Sequence, residues 1–318
     1  SISRCLMRTK PYCKAPWVAL QYTALEGCKP CCEWKDDFYK GNVKDYYASN
    51  YLKEFKSYMY ADTMHDNCKE CIDIEDRGGD SRRLKYMQYN IPDGLQKLDY
   101  RPGNKCNLKC IMCGPESSSM WEDAENITLD KLDTSDIHDL DFSKLHKVMI
   151  LGGEPSIDLK VREFLKTIQD LDCYIGITVN ATNASDKWFN TLKSLKTNKL
   201  EIALSIDGTG DVFEHQREGA NWLMVKDNII KYKENFRNVT IQVTATNYNY
   251  PLIHEWWDEL LSFDIDIWQS VCYMPDKYAL KTIEDKVSII NWLTTWRETA
   301  AENKYKYVDE AINILRAP

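Results

Sequence analysis

Three cysteines within eight residues, Cys106-Asn-Leu-Lys-Cys110-Ile-Met-Cys113, are the most chemically specific feature of this 318-residue chain. Three thiolates on one short loop can hold three irons of a [4Fe–4S] cube and leave the fourth iron open. A zinc ion prefers a fourth protein ligand, usually from a second Cys or His pair close in sequence. None follows before His138, and His146 is as remote. Two readings therefore stand: an open-cornered cube, or zinc with a distant fourth ligand. Further on, Leu151-Gly152-Gly153-Glu154-Pro155 offers two glycines that let backbone approach a ligand closely, followed by a carboxylate. Val179-Asn180-Ala181-Thr182 and Ser205-Ile206-Asp207-Gly208 end two later apolar runs in polar groups. Asn180 and Ser205 are weighed toward ligand contact, whereas Asp207 serves equally well as a cap on the next helix. Thr244, Thr246 and Asn247 could face the same space.

Ten of the 12 cysteines lie between Cys5 and Cys113. Clustered cysteines in a large acidic chain without a secretion signal more often bind metal than form disulfides. Outside the triplet the candidate ligands are Cys13, Cys31, Cys32, Cys68 and Cys71. A competing register pairs Cys28-x2-Cys31 with Cys68-x2-Cys71, which is a zinc-ribbon spacing. Cys5, Cys173 and Cys272 read as small buried hydrophobes.

The elements that must carry these residues follow from the hydrophobic pattern. Short β-rich runs fall near Leu95–Tyr100, Val148–Leu151, Tyr174–Val179, Leu200–Ile206, Thr240–Ala245 and Ile265–Trp268. Between them, Val161–Leu171, Trp188–Leu195, Trp222–Asn235 and Leu252–Leu261 have helical periodicity. Six strands spaced by helices predict an α/β fold, a parallel sheet of βα units forming a partial (β/α)6 TIM-like barrel. Ligands collect at the C-terminal ends of such strands, where the motifs above fall. The predicted division is a small Cys-rich accessory domain at 1–92, the partial barrel at 93–275 and a helical cap at 276–318. Asn50–Tyr60 is predicted as an amphipathic helix and Arg77–Ser81 as a turn. Trp256, Trp257, Trp292 and Trp296 fall at helical spacing and are expected in the core.

Taken together, C-x3-C-x2-C after the first strand and Gly-Gly-Glu at the next strand's end resemble the radical S-adenosylmethionine (SAM) superfamily. The resemblance implies that Cys106, Cys110 and Cys113 bind a [4Fe–4S] cluster whose open iron chelates the amino and carboxylate groups of SAM. Met112 would lie near the adenine, Gly152, Gly153 and Glu154 would receive the SAM amino group, and Asn180 and Ser205 would meet its carboxylate or ribose. Reductive cleavage of SAM then gives a 5′-deoxyadenosyl radical that abstracts a substrate hydrogen. An external one-electron reductant of the flavodoxin or ferredoxin kind is implied as partner. The run from Cys13 through Gly27 to Cys32 resembles the CX9–15GX4C opening of SPASM and twitch domains, which hold auxiliary clusters. Cys68 and Cys71 would complete a second [4Fe–4S] site, with relatives favouring Cys31 over Cys32. Cys68-x2-Cys71-x3-Glu75-x3-Gly79-x-Ser81-x-Arg83 also resembles twitch-containing radical SAM proteins frequent in phage and marine sequences. These modules usually follow the core; here the resemblance precedes it. It implies a peptide or protein side chain as substrate. A small metabolite (a sugar, nucleoside or amino acid) is the enzymatic alternative, and a zinc-binding module without catalysis is the alternative from another class.

Composition bounds the rest. Forty-one Lys and Arg against 49 Asp and Glu give a net charge of −8, which argues against a broad nucleic-acid footprint or an anionic membrane patch. No apolar run approaches the ~20 residues of a membrane span. A soluble, cytoplasmic protein is expected.

Overall fold

The structure, a computed structural model, describes residues 12–35, 38–61, 63–91 and 94–316. Cys5 lies outside the described residues. The N-terminal part runs through α1 (Ala15–Val18), β1 (Ala19–Thr23), β2 (Gly27–Lys29), α2 (Asn50–Tyr60), α3 (Lys69–Asp76) and α4 (Arg82–Tyr86). The chain continues with β3 (Lys97–Arg101), β4 (Lys109–Cys110), α5 (Ser119–Glu125), β5 (Lys147–Ile150), α6 (Leu159–Thr167), β6 (Tyr174–Val179) and α7 (Asp186–Lys193). Then come β7 (Leu200–Ser205), α8 (Gly210–Gln216), β8 (Arg217–Glu218), α9 (Trp222–Asn235), β9 (Val239–Ala245), α10 (Ile253–Ser262) and β10 (Asp266–Val271). Helices α11 (Lys286–Thr299) and α12 (Tyr305–Arg316) close the chain.

The main sheet has the order β10-β9-β7-β6-β5-β3-β1-β2 and is parallel except for the β1–β2 hairpin. This is the open, partial TIM-like barrel predicted, with one difference. The Cys-rich segment contributes β1, which pairs in parallel with β3 from Ala19↔Lys97 to Thr23↔Arg101. The boundary expected near residue 92 thus lies within the span of one continuous sheet. The short run Ala-Leu-Gln-Tyr-Thr follows a helix of only four residues, so no βα rhythm announces it.

Alternation fixes which face is which. Leu98, Tyr100, Val148, Ile150, Ile175, Ile177, Ile202 and Leu204 are buried in the core cluster shared with the helices. Tyr100, for example, meets Phe164 of α6 with ring centroids 4.7 Å apart. Each such side chain, fully buried, contributes about 1.5–3 kcal/mol of hydrophobic stabilisation. The intervening positions, Lys97, Asp99, Arg101, Lys147, Thr178, Ser205 and Thr244, give the opposite face its polar character. Helix starts are fixed by side-chain caps: Ser185 Oγ accepts from Trp188 N, and Asn221 Oδ1 from Met224 N.

Trp256 and Trp257 are fully buried as expected, whereas Trp292 and Trp296 are half-buried against the core. Helix α12 covers β10, where Tyr307 Oη donates to Asp266 Oδ1 at 2.6 Å and Gln269 Nε2 to the Tyr307 carbonyl at 2.9 Å. Among the described residues, no helix is long and apolar enough to cross a membrane.

Candidate functional site

Beyond the C-terminal end of β3 the chain forms the cysteine loop, and α5 holds it in place. Ser119 N donates to the Asn104 carbonyl at 2.7 Å, Ser118 Oγ to the Leu108 carbonyl at 2.6 Å and Trp121 Nε1 to the Cys110 carbonyl at 2.9 Å. Glu122 anchors the loop's start, accepting from Asn104 Nδ2 at 2.7 Å, Lys131 Nζ at 2.6 Å and Leu129 N at 2.8 Å. Burial alone would raise its pKa, but these donors hold it down at about 2. At the far side of the loop, β4 pairs with β8, setting Cys110 opposite Arg217.

Cys106, Cys110, Met112 and Cys113 line one cavity of about 380 Å³, together with Gly152, Gly153, Glu154, Asn180, Ser205 and Thr244. The triplet and the strand-end residues therefore line one cavity. The same cavity is walled by Thr23 to Glu26 of the β1–β2 turn and by Arg101. The glycines are required sterically. A Cβ on Gly153 would stand 2.2 Å from the Lys105 carbonyl oxygen, and Gly152 combines φ of +117° with a Cβ position 2.7 Å from the Gly103 oxygen. The cysteine loop packs directly on this glycine pair.

Two expected roles differ in detail. Glu154 is buried with both oxygens taken by backbone: Ser156 N donates to Oε1 at 3.0 Å and Asn180 N to Oε2 at 2.6 Å. Its carboxylate ties the end of β5 to the end of β6. Asp207 neither caps α8, whose N-cap is Thr209, nor stands open to a ligand. Arg217 Nη2 lies 2.6 Å from Asp207 Oδ2, and Thr244 N donates to Oδ1 at 2.6 Å. Burial pushes the Asp207 carboxyl up, and Arg217 opposes the shift. Asn180 Nδ2 donates to Asn107 Oδ1 at 3.0 Å, bridging β6 to the cysteine loop. Of the weaker candidates, Thr244 lines the cavity, but Thr246 bonds inward to Gln216 and Asn249, and Asn247 turns to Lys277 and Thr282.

Arg217 is the main residue that sequence reasoning missed. It is buried, its Nη1 is 3.7 Å from Cys110 Sγ, and its Nε has no hydrogen-bond partner among the described residues. Burial works against its charge, but Asp207 and the thiols of Cys110 and Cys113 hold it protonated. A single Arg twelve residues past Ser205 has no spacing signal; only the β4–β8 ladder brings it to the loop.

These features test whether the residues fit a [4Fe–4S] cluster and SAM. Three thiols open on one cavity, a guanidinium compensates their negative charge, and a buried donor awaits an acceptor. Ligands of a single zinc, each at about 2.3 Å from the ion, must crowd together, whereas thiolates of a cube bind separate irons. Among the described residues, no three His, Cys, Asp or Glu side chains converge on one ion. The residues fit the cluster and its ligand.

A second thiol group lies beside α1, α3 and α4. The charges of Cys13, Cys31, Cys68 and Cys71 act on one another, and burial, as the larger cause, pushes Cys13 up to about 12 and Cys68 to about 11. Cys32 acts on Cys31, but the charges that act on Cys32 itself are those of Arg82, Glu33, Lys97 and Asp99. Cys28 sits fully buried in β2, opposite Tyr22, outside the group. Behind Cys71, Arg83 Nε donates to Glu75 Oε1 at 3.0 Å and Arg83 Nη1 to the Tyr12 carbonyl at 3.0 Å, and Ser81 Oγ also donates to Glu75. The Glu, Ser and Arg of the motif thus lock α3 to α4 around the thiols.

Residues 100–260, half of the chain, match the family model described as Radical SAM superfamily. A GTP 3′,8-cyclase of Sulfurimonas denitrificans is 31% identical over 147 residues, covering 41% of this chain and 44% of the cyclase. Another, from Limosilactobacillus fermentum, is 28% identical over 132 residues, covering 40% of this chain and 38% of that protein. The chain thus spans less than half the length of these curated relatives. Among solved structures, anSMEcpe with bound AdoMet matches with a TM-score of 0.48 at 18% identity, covering 64% of this chain and 60% of that one. Streptococcus suis SuiB bound to precursor peptide SuiA matches with a TM-score of 0.44 at 17% identity, covering 78% and 58%.

Proposed function

The chain belongs to the radical SAM superfamily, and on that premise we propose that it is an enzyme that cleaves SAM at the cysteine loop to abstract hydrogen from a substrate. The observation that carries this reading is the meeting of Cys106, Cys110 and Cys113 with Gly152, Gly153, Asn180 and Ser205 around one cavity. When bound, the [4Fe–4S] cluster and SAM supply a 5′-deoxyadenosyl radical. This chain's residues do the rest. The three cysteines hold the cluster, with Arg217 compensating their charge. Met112, the backbone at Gly152–Gly153, Asn180 and Ser205 hold SAM, and Glu154 fixes two strand ends beneath it.

Cys13, Cys31, Cys68 and Cys71 are the proposed ligands of an auxiliary [4Fe–4S] cluster in a twitch-like accessory module that precedes the barrel. Four-thiolate ligation leaves no open iron, so this site passes electrons or scaffolds rather than binding substrate. It lies at the opposite end of the sheet from the SAM loop. Cys13 precedes β1, and Cys31 follows the antiparallel β2, so both fall at the N-terminal end of the parallel strands. The electron comes from an external carrier of the flavodoxin or ferredoxin kind.

The substrate is a peptide or protein side chain, as the accessory module's resemblance implies. A second reading, a small metabolite, is supported by the similarity to GTP 3′,8-cyclases. Iron, sulfide and zinc analysis of anaerobically purified protein tests the metal assignment. Brown protein with iron and sulfide near eight each is expected; colourless protein with two zincs and no SAM binding would overturn it.

A further inference from the structure

The polar face of the sheet opens on a second cavity, remote from the cysteine loop. On β3 and β5 the face that presents Arg101 and Leu151 to the SAM cavity presents Lys97 and Lys147 to a pocket of about 440 Å³. Lys97 and Lys147 are register partners, side by side on neighbouring strands. Lys97 and Arg101 are separated by about 13 Å of strand at about 3.3 Å per residue. Arg82 and Lys85 from α4 and His146 from the loop before β5 complete the basic wall.

Among the described residues, the remaining lining groups are a glutamine and two tyrosines, with no carboxylate. That is unusual in a chain with 49 acidic and 41 basic residues. Like charges gathered with few acid partners are costly unless an anion or solvent offsets them. Nearby carboxylates are only partial compensation. Asp99 takes Lys97 Nζ at 3.0 Å, and Glu33 stands 3.7 Å from Arg82. Lys147 lies over the Tyr174 ring, 4.4 Å from its centroid, and burial followed by the Lys97 charge pulls its ammonium below the usual pKa.

We propose that this pocket binds an anionic group of the substrate, a phosphate or a carboxylate, while the reacting carbon lies in the SAM cavity beyond the other end of β3. The second clause rests on the SAM-dependent function above; anion binding does not. The substrate class is an elongated molecule whose anionic group is remote from the C–H that reacts: a phosphorylated metabolite, or a peptide with an acidic side chain.

The test titrates the purified full chain with tripolyphosphate and, separately, with triglutamate, by calorimetry at low and high salt. One saturable site for at least one probe, weakened by salt, is expected. Lys147→Gln with Arg82→Gln should weaken that binding by at least about tenfold, and exposed Lys85→Gln, which carries little risk to folding, should weaken it several-fold. Lys281→Gln, remote from the pocket, should leave it unchanged. Preference for tripolyphosphate assigns a phosphate, and preference for triglutamate a carboxylate. Absence of saturable binding by both probes, or binding that ignores Lys85→Gln and the double variant, overturns the proposal. The experiment needs no cluster and no SAM. Binding without 5′-deoxyadenosine formation would sink the enzymatic reading but not the site; the reverse result would sink the site alone.

Discussion

Glu122 and Arg217 are two buried charges that set the cysteine loop without being metal ligands. Glu122 is held well below its ordinary 4.5, at about 2, so its bonds stabilise the folded protein fully above pH 4.5. That contribution is lost as pH falls through the folded value. Wild type should therefore lose up to about 3 kcal/mol more than Glu122→Gln between pH 5 and pH 2, read by denaturant melts across that range. Parallel curves would show that Glu122 carries no such linkage. Arg217→Gln leaves Asp207 buried without its cation and should cost about 3–5 kcal/mol in the metal-free protein. Asp207→Asn added to Arg217→Gln should recover part of it. If the two changes are additive, the ion pair is not what holds β8 against the loop.

At the scale of elements, the site is a set of strand ends pressed against one loop. The Gly153 contact with Lys105 is backbone to backbone, so no rotamer change relieves it. Gly153→Ala should displace the loop and lower iron loading at Cys106, Cys110 and Cys113, measured as iron per chain after reconstitution. Unchanged loading would mean that the loop shifts freely. The strand ends were legible because β5, β6 and β7 each finish in polar groups after an apolar run, and the cysteine triplet because its spacing is rare. Strand β1 was not legible, because Gln21 and Thr23 on its polar face interrupt a run of five residues whose only partner in sequence is a three-residue β2. Nor could spacing reveal the roles of Glu154 and Asp207. A carboxylate at a strand end looks the same whether it meets a ligand, a neighbouring strand's N–H or a buried arginine.

For the whole molecule, one sheet carries two thiol groups at its opposite ends and a polar face between them. The accessory segment is part of that architecture, because β1 extends the sheet and its turn walls the cavity at the cysteine loop. The cysteines should therefore be separable by substitution. If the second thiol group holds a cluster as proposed, Cys31→Ser should lower iron per chain and Cys32→Ser leave it unchanged, since Cys31 interacts with Cys13 and Cys68 whereas Cys32 interacts with Arg82, Glu33, Lys97 and Asp99. Equal loss in both variants would move the fourth ligand.

The central claim is that the loop of Cys106, Cys110 and Cys113 cleaves SAM, and it is tested by one assay. Anaerobically reconstituted, reduced protein is incubated with SAM, and 5′-deoxyadenosine is measured by chromatography. Wild type should form it and Cys110→Ala should form none. Product from the Cys110→Ala protein, or none from wild type with its full iron complement, would contradict the account.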